Sequence, residues 1–82
     1  MTAKSFETIR IKLAEQLEID YLTILPESHI FDDLGADSLD AVELIIALEE
    51  EFNLTIEPED VEELETVGDV ALLVDKLVWG ES

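Results

Sequence analysis

Residues 38–52 repeat apolar side chains at helical spacing between acidic ones, and this pattern restricts the fold more than any other. The apolar positions on the widest face are three and four residues apart: Ala41, Leu44, Ile45, Leu48 and Phe52. A segment with that period cannot place one set of side chains on a single face of a β-sheet. The pattern therefore predicts an amphipathic helix over 38–52 that packs against other helices.

Three further segments have features of helices, and no segment sustains the alternation of a strand. The first covers about 4–18, with an inward face of Phe6, Ile9, Leu13 and Leu17. Pro58 suits the first turn of a short helix over 58–64, with Val61 and Leu64 inward. Thr66 is a cap for a helix over 66–78, whose stripe is Val67, Val70, Ala71, Val74, Leu77 and Val78. We predict an all-α, single-domain chain over 1–82, a small four-helix bundle of three longer helices and one short one.

The segment between the first two predicted helices is long for a domain of this size. It carries apolar residues that can anchor it to the bundle, namely Tyr21, Leu25, Ile30, Phe31 and Leu34. We therefore expect an ordered long first loop.

The charge is strongly acidic, with 22 acidic residues against four basic ones and a formal net charge of -18. Such a chain is repelled by nucleic acids and anionic membrane surfaces, so we expect partners that carry basic patches. Cysteine is absent from the sequence, and the apolar runs are too short for membrane insertion. The acidic clusters lack the ligand spacing of a calcium loop, so no dedicated metal site is expected. We predict a cytoplasmic monomer.

The start of the second predicted helix has an unusual serine. Gly35 permits a tight backbone turn, and Asp37 with Asp40 forms a capping-box-like pair. Ser38 then occupies the first helical position, where unpaired N–H groups favour a phosphate. Two interpretations remain: Ser38 helps to cap the helix, or it is a place of attachment. No residue nearby in sequence can activate it as a nucleophile, and His29 is expected to be an ordinary loop residue.

The second predicted helix also carries a second apolar stripe, Leu39, Val42 and Ile46, with acidic residues around it. One interpretation is a wide core face. The other is an exposed apolar strip with a charged rim, which is typical of a docking surface.

The run Asp32-Asp33-Leu34-Gly35-Ala36-Asp37-Ser38-Leu39-Asp40, followed by Val42-Glu43-Leu44 and later Thr66-Val67-Gly68-Asp69, resembles the acyl carrier proteins. The resemblance extends from about Phe31 to Leu77 and is looser in the first helix. In that family the serine of the Asp-Ser-Leu triplet carries a 4′-phosphopantetheine arm. The resemblance thus implies that Ser38 is the attachment site, with Asp37 and Leu39 as its flanking motif.

The resemblance also implies the partners. A phosphopantetheinyl transferase would move the arm from coenzyme A to Ser38, and the arm's thiol would hold acyl groups as thioesters. Helices two, three and four would enclose the acyl chain. Acyltransferases, ketosynthases and other enzymes of fatty acid or polyketide synthesis would dock, through basic patches, on Leu39, Asp40, Val42, Glu43, Ile46, Glu49 and Glu50. Such a chain is a carrier and not an enzyme.

Other function classes stay open at this point. Carriers of fatty acid synthesis, polyketide carriers and specialised acyl carriers share the motif, and an unmodified acidic helical adaptor is the remaining alternative. Three segments depart from the usual fatty-acid pattern: Pro58 comes one residue late, Leu72-Leu73 replace a more polar pair, and Leu17-Glu18-Ile19 lacks a common glycine. These departures leave the pathway and chain length undetermined. A short chain that begins at Met1 favours a free-standing protein.

Overall fold

The structure, a computed structural model, describes residues 5–80 and has four α-helices within that range. They are α1 (Phe6–Leu17), α2 (Ser38–Phe52), α3 (Pro58–Glu62) and α4 (Val67–Trp79). A short 3₁₀ turn, Tyr21–Thr23, lies in the first loop, and residues 5–80 contain no strand beyond an isolated bridge between His29 and Thr66. The predicted all-α class with one short helix is confirmed.

The helix bounds differ from the predicted ones mainly at α3. The range of α2 coincides with the predicted 38–52, and α4 begins one residue after its Thr66 cap. The predicted start of α1, residue 4, lies outside the described residues. The predicted end of α3 at 64 is wrong because the chain leaves the helix after Glu62 in a tight turn, in which Leu64 N–H donates to the Val61 carbonyl at 3.1 Å.

The core lies between α1 and its two long neighbours, since α1 packs against both α2 and α4. Its buried side chains from these helices are Phe6, Ile9, Leu13, Leu44, Leu48, Val67, Val70, Ala71 and Val74. The prediction that Leu77 and Val78 face inward is wrong, because both are exposed. Ser5, at the described start of α1, is bonded to Ala71 and Asp75, so the last turn of α4 extends past it.

The first loop is fixed to the bundle by three of the five predicted anchors, Tyr21, Ile30 and Leu34, and by Ile24, which the sequence analysis did not predict. Ile24 and Ile30 are buried, whereas Leu25 and Phe31 are exposed, so these two are wrong as core anchors. The 3₁₀ turn changes the direction of the chain just before Ile24, and that turn places the isoleucine inward. Backbone bonds to the start of α4 complete the attachment, among them Gly68 N–H to the Pro26 carbonyl at 2.7 Å.

A cluster on α1 holds the beginning of this loop. The guanidinium carbon of Arg10 lies 4.3 Å from the centre of the Tyr21 ring, and Arg10 Nε donates to the Tyr21 carbonyl at 3.0 Å. The Tyr21 hydroxyl donates to the Glu7 carboxylate. That bond lowers the pKa of Glu7 and raises the pKa of Tyr21, because it stabilises the charged carboxylate and the neutral phenol. The start of the loop is thus tied to α1 by stacking and hydrogen bonds.

Candidate functional site

The N-terminus of α2 has the capping geometry that the sequence predicts. Gly35 adopts φ 75°, and Asp37 is the N-cap residue with extended backbone angles. Asp40 N–H donates to Asp37 Oδ1 at 2.9 Å, while Asp37 N–H donates to Asp40 Oδ2 at 3.1 Å. The capping box is therefore confirmed, and it fixes the direction in which the first turn presents its side chains.

Ser38 is exposed at the first position of this helix. Because Asp37 supplies the cap, the interpretation of Ser38 as a capping residue is wrong. Among residues 5–80, no side chain forms a hydrogen bond with the Ser38 hydroxyl, so no base activates it there. His29 Nδ1 accepts a hydrogen bond from Asp32 N–H at 3.2 Å, which is a turn contact within the loop. The hydroxyl is accessible but has no catalytic partner in this part of the chain.

An apolar groove of about 450 Å³ opens directly beside Ser38. Apart from Ser38 its lining is apolar: Phe31, Ala41, Val42, Ile45, Ile46, Ile56, Pro58 and Val61. A smaller cavity of about 30 Å³ shares Phe31, Ala41, Ile45 and Val61 with it and reaches inward to Leu44, Leu64 and Val70. An accessible hydroxyl therefore stands at the edge of a groove able to shelter an apolar chain from water.

The walls of the groove correct part of the sequence prediction. They come from α2, from α3 with the segment before it, and from Phe31 of the first loop. Helix α4 contributes only Val70, and only to the smaller cavity, among the described lining residues. Ala41 and Ile45, expected in the core, are half-buried because they border the groove.

The second stripe of α2 is exposed. Leu39, Val42 and Ile46 are 65%, 53% and 50% exposed, so the interpretation of the stripe as a wide core face is wrong. Val42 and Ile46 also line the groove, a double position that the sequence does not predict. Glu43 and Glu50 are exposed near the stripe, and Asp40 is half-exposed. An apolar strip with acidic neighbours thus begins one residue after Ser38.

Comparison with known proteins matches this geometry. Residues 7–74 match the family described as the phosphopantetheine attachment site. A curated relative from Helicobacter pylori named acyl carrier protein is 50% identical over 70 residues, which cover 85% of this chain and 90% of that protein. The chain belongs to the acyl carrier protein family. Members carry acyl groups on a covalent phosphopantetheine and are not enzymes.

The fold of the carrier agrees with that of a solved relative. A structure from Mycobacterium tuberculosis, assigned as an acyl carrier protein, superposes with a TM-score of 0.77 at 37% identity. The superposition covers 84% of this chain and 95% of that chain. The four-helix arrangement is therefore that of the family.

One predicted docking residue of the carrier has a further contact. Glu49 is half-buried, and its Oε2 accepts a hydrogen bond from Ile56 N–H at 2.8 Å. Ile56 is 6% exposed and lines the groove. The sequence gives no signal for this bond, since Glu49 is one of three successive glutamates and its partner lies seven residues further on.

A second capping box begins α4. Thr66 Oγ1 accepts from Asp69 N–H at 3.1 Å, and Asp69 Oδ2 accepts from the N–H groups of Thr66 and Glu65 at the same distance. The bond from Thr66 N–H is the main reason why the pKa of Asp69 is lowered. The predicted Thr66 cap is confirmed, and the carboxylate that completes it belongs to the matched Thr66-Val67-Gly68-Asp69 segment.

The described residues hold neither a candidate metal site nor a membrane-spanning helix. Between residues 5 and 80, no three His, Asp or Glu side chains group in a way that could hold a metal ion. None of the helices described is both long and apolar enough to cross a membrane.

Proposed function

We propose that Ser38 carries the 4′-phosphopantetheine arm and that the chain delivers acyl groups to partner enzymes of fatty acid or related lipid synthesis. One observation carries this proposal: the exposed Ser38 hydroxyl lies at the edge of an apolar groove of about 450 Å³. When attached, the arm supplies a terminal thiol that holds the acyl group.

The residues around Ser38 fit a phosphodiester. The Asp37 side chain accepts a hydrogen bond from Asp40 N–H, and the Asp37 carbonyl accepts one from Ala41 N–H. The N–H groups of Ser38 and Leu39 are therefore left at the helix start, where the first N–H groups have no partner within the helix and favour an anion. Asp37 and Leu39 form the flanking motif. Asp37 fixes the start of the helix, and Leu39, which is 65% exposed, is available for contact with a partner.

In the attachment reaction, Ser38 Oγ forms a bond to the phosphorus next to the pantetheine of coenzyme A. The pyrophosphate bond breaks, and the nucleotide half of coenzyme A leaves with the other phosphate. The hydroxyl proton passes to a base on the phosphopantetheinyl transferase, because no described side chain of this protein is bonded to the hydroxyl. Ser38 thus provides accessibility and position, and the transferase provides the chemistry.

The groove is the proposed shelter for the acyl chain. Burial of each methylene in apolar surroundings contributes about 0.8 kcal/mol. Ile45 and Val61 line both the groove and the smaller cavity, so they lie between the two. A partner enzyme must therefore replace these contacts with its own before the thioester becomes available.

The proposed docking surface is the exposed stripe of α2 with its acidic neighbours, namely Leu39, Asp40, Val42, Glu43, Ile46, Glu49 and Glu50. Its partners would have an apolar centre and a basic rim, because opposite potentials steer association and the apolar contact limits dissociation. The transferase, acyltransferases and ketosynthases are the proposed partners. The net charge of -18 opposes self-association and supports a monomer, which we propose works in the cytoplasm.

The test is intact mass after coexpression with a phosphopantetheinyl transferase. We expect wild type to gain the mass of the arm and Ser38→Ala to lose that gain. Thr55→Ala is the matched control, because it removes another exposed hydroxyl and should leave the gain intact. An arm still present on Ser38→Ala would overturn the assignment, and an unmodified wild type would favour the acidic adaptor.

A further inference from the structure

Glu49 joins the docking surface to the wall of the groove. Its Oε2 lies 2.8 Å from Ile56 N, and Ile56 is almost fully buried in the groove wall. Glu49 follows Ile46 by three positions, so it continues the exposed stripe of α2 along the same side of the helix. A single carboxylate therefore lies between the surface offered to partners and the surface offered to the acyl chain.

The segment that connects α2 to α3 depends strongly on this residue. The carbonyl of Glu49 accepts from Asn53 N–H and, at 3.1 Å, from Leu54 N–H, and its side chain accepts from Ile56 N–H. Helix α3, which follows, has only five residues and makes fewer contacts with the long helices than α1 does. Movement of the Glu49 side chain would thus free Ile56 N–H and loosen the part of the groove wall that Ile56 and Pro58 form.

The charge of Glu49 is available to an outside cation. No Lys or Arg occurs between residues 38 and 65, and the lysine that reaches α2 within residues 5–80, Lys12, pairs with Glu51 at 3.1 Å. A guanidinium prefers to bind both oxygens of a carboxylate side by side, so a partner arginine would draw the Glu49 carboxylate out of the orientation in which Oε2 accepts from Ile56 N–H.

We propose that Glu49 is a positioning residue that couples partner docking to release of the acyl chain. In the free carrier its carboxylate holds Ile56 N–H and keeps the groove wall in place. A basic side chain of a docked partner takes over the carboxylate, Ile56 N–H loses its acceptor, and the wall formed by Ile56, Pro58 and Val61 loosens. This inference rests on the proposed function of the groove as the acyl shelter.

Two substitutions separate the two roles of the carboxylate. Glu49→Gln keeps an oxygen that can accept from Ile56 N–H but removes the attraction to a cation, whereas Glu49→Ala removes both. Glu15→Gln and Glu15→Ala are the matched controls, since Glu15 is an exposed glutamate of α1 with the same charge and lies outside the proposed docking surface.

The first measurement is hydrogen exchange of the Ile56 amide in the protein without an acyl group. We expect exchange about tenfold faster in Glu49→Ala, because a charge-assisted bond is lost. Exchange in Glu49→Gln should rise less than in Glu49→Ala, because a neutral amide oxygen still accepts from Ile56 N–H, and exchange in both Glu15 variants should stay close to wild type. An unchanged Ile56 amide in Glu49→Ala would overturn the proposed hold, whatever the outcome of arm attachment.

The second measurement uses the decanoyl-loaded protein, with loading verified by intact mass, and a hexa-arginine peptide as the basic probe. The peptide should speed cleavage of the thioester by hydroxylamine in wild type and in Glu15→Gln, and much less in Glu49→Gln. An equal response of Glu49→Gln and Glu15→Gln would overturn the coupling, because bulk charge alone would then explain the effect. A failure of loading would instead count against the proposed function.

Discussion

The two sides of the molecule are held together in different ways. On the α1–α4 side, which comprises residues 5–37 and 66–80, polar side chains tie the elements to one another. Arg10 stacks on Tyr21, and Ser5 Oγ donates to the Ala71 carbonyl at 2.9 Å from a buried position. On the α2–α3 side, residues 38–65, the segment before α3 is held by the Glu49 bond, and an apolar groove separates the helices.

The two sides also differ in charge, and the α2–α3 side is the more negative one. All four basic residues lie outside 38–65, whereas eleven of the 22 acidic residues lie within it. Repulsion among these carboxylates opposes close packing of α2 against α3. Residues 38–65 thus carry a charge of -11 against -7 for the rest of the chain, and α2 and α3 supply most of the lining of the groove. The side that we propose to meet the acyl chain and the partner is therefore the more charged one, whereas the other side is tied together by polar side chains.

The largest expected effect separates the core face of α2 from its exposed stripe. Leu48 is fully buried, so Leu48→Ala should lower the free energy of unfolding by about 2–5 kcal/mol. Ile46 is 50% exposed, so Ile46→Ala should lower it by less than about 1 kcal/mol. Chemical denaturation of both variants provides the measurement.

In partner binding we expect the opposite order, with Ile46→Ala weakening the complex more than Leu48→Ala. If Ile46 is a central contact, Ile46→Ala should weaken the complex with the transferase by about 1–2 kcal/mol, mostly through faster dissociation. Equal destabilisation of folding by the two substitutions would show that the stripe belongs to the core and that the docking surface lies elsewhere.

Features set by local sequence were predictable. The bounds of α2 and its Asp37–Asp40 capping box follow from the helical period and from side chains three residues apart, both readable in the chain. The class of fold and the exposed position of Ser38 follow from the same patterns. The match of the Asp-Ser-Leu motif to the acyl carrier family then indicates the chemistry.

Features that depend on the tertiary packing of the helices and loops were not predictable. Leu77 and Val78 share the core stripe of α4 in sequence, but they extend past the described start of α1 and are exposed. The loop buries Ile24 and exposes Leu25 because of a 3₁₀ turn that apolar content does not reveal. The Glu49–Ile56 bond is equally unreadable, since its two partners meet only after the chain reverses direction at Asn53.

The next effect concerns salt. Like charges near each other on a helix cost a few tenths of a kcal/mol per pair, so screening within 38–65 should stabilise this side by about 1 kcal/mol in total. We expect amide exchange at Val61 to slow more than exchange at Ile9 when sodium chloride is raised. The melting temperature should rise as well. Equal slowing at both amides would mean that the charge strain is spread over the whole molecule.

A smaller effect compares the ends of α1 and α2. Glu18 and Asn53 both have left-handed backbone angles, with φ 56° and φ 53°. Glutamate is strained there and places a negative charge at the negative end of the helix dipole, whereas asparagine tolerates the conformation. Glu18→Gly should therefore raise the free energy of unfolding by about 1 kcal/mol, and Asn53→Gly by no more than a few tenths. Denaturation curves of the two variants give the comparison, and an equal gain would refute the strain at Glu18.

The smallest effect is the acid dependence of the capping box on the α1–α4 side. The pKa of Asp69 is lowered from its ordinary 3.8, chiefly by the bond from Thr66 N–H, so the stability it contributes is present above that value and is lost as the pH falls through the lowered pKa. Asp69→Asn keeps an oxygen acceptor but cannot ionise. We expect wild type to exceed this variant in stability at pH 7 and the difference to shrink at about pH 3, by less than about 1 kcal/mol because Asp69 is partly solvated. Glu62→Gln is the control, because it removes the same charge from an exposed site on α3. Its stability change measures how much the loss of one negative charge stabilises the protein by reducing repulsion. If Asp69→Asn and Glu62→Gln follow the same pH profile in chemical denaturation, the Thr66 bond contributes nothing specific to the ionised form.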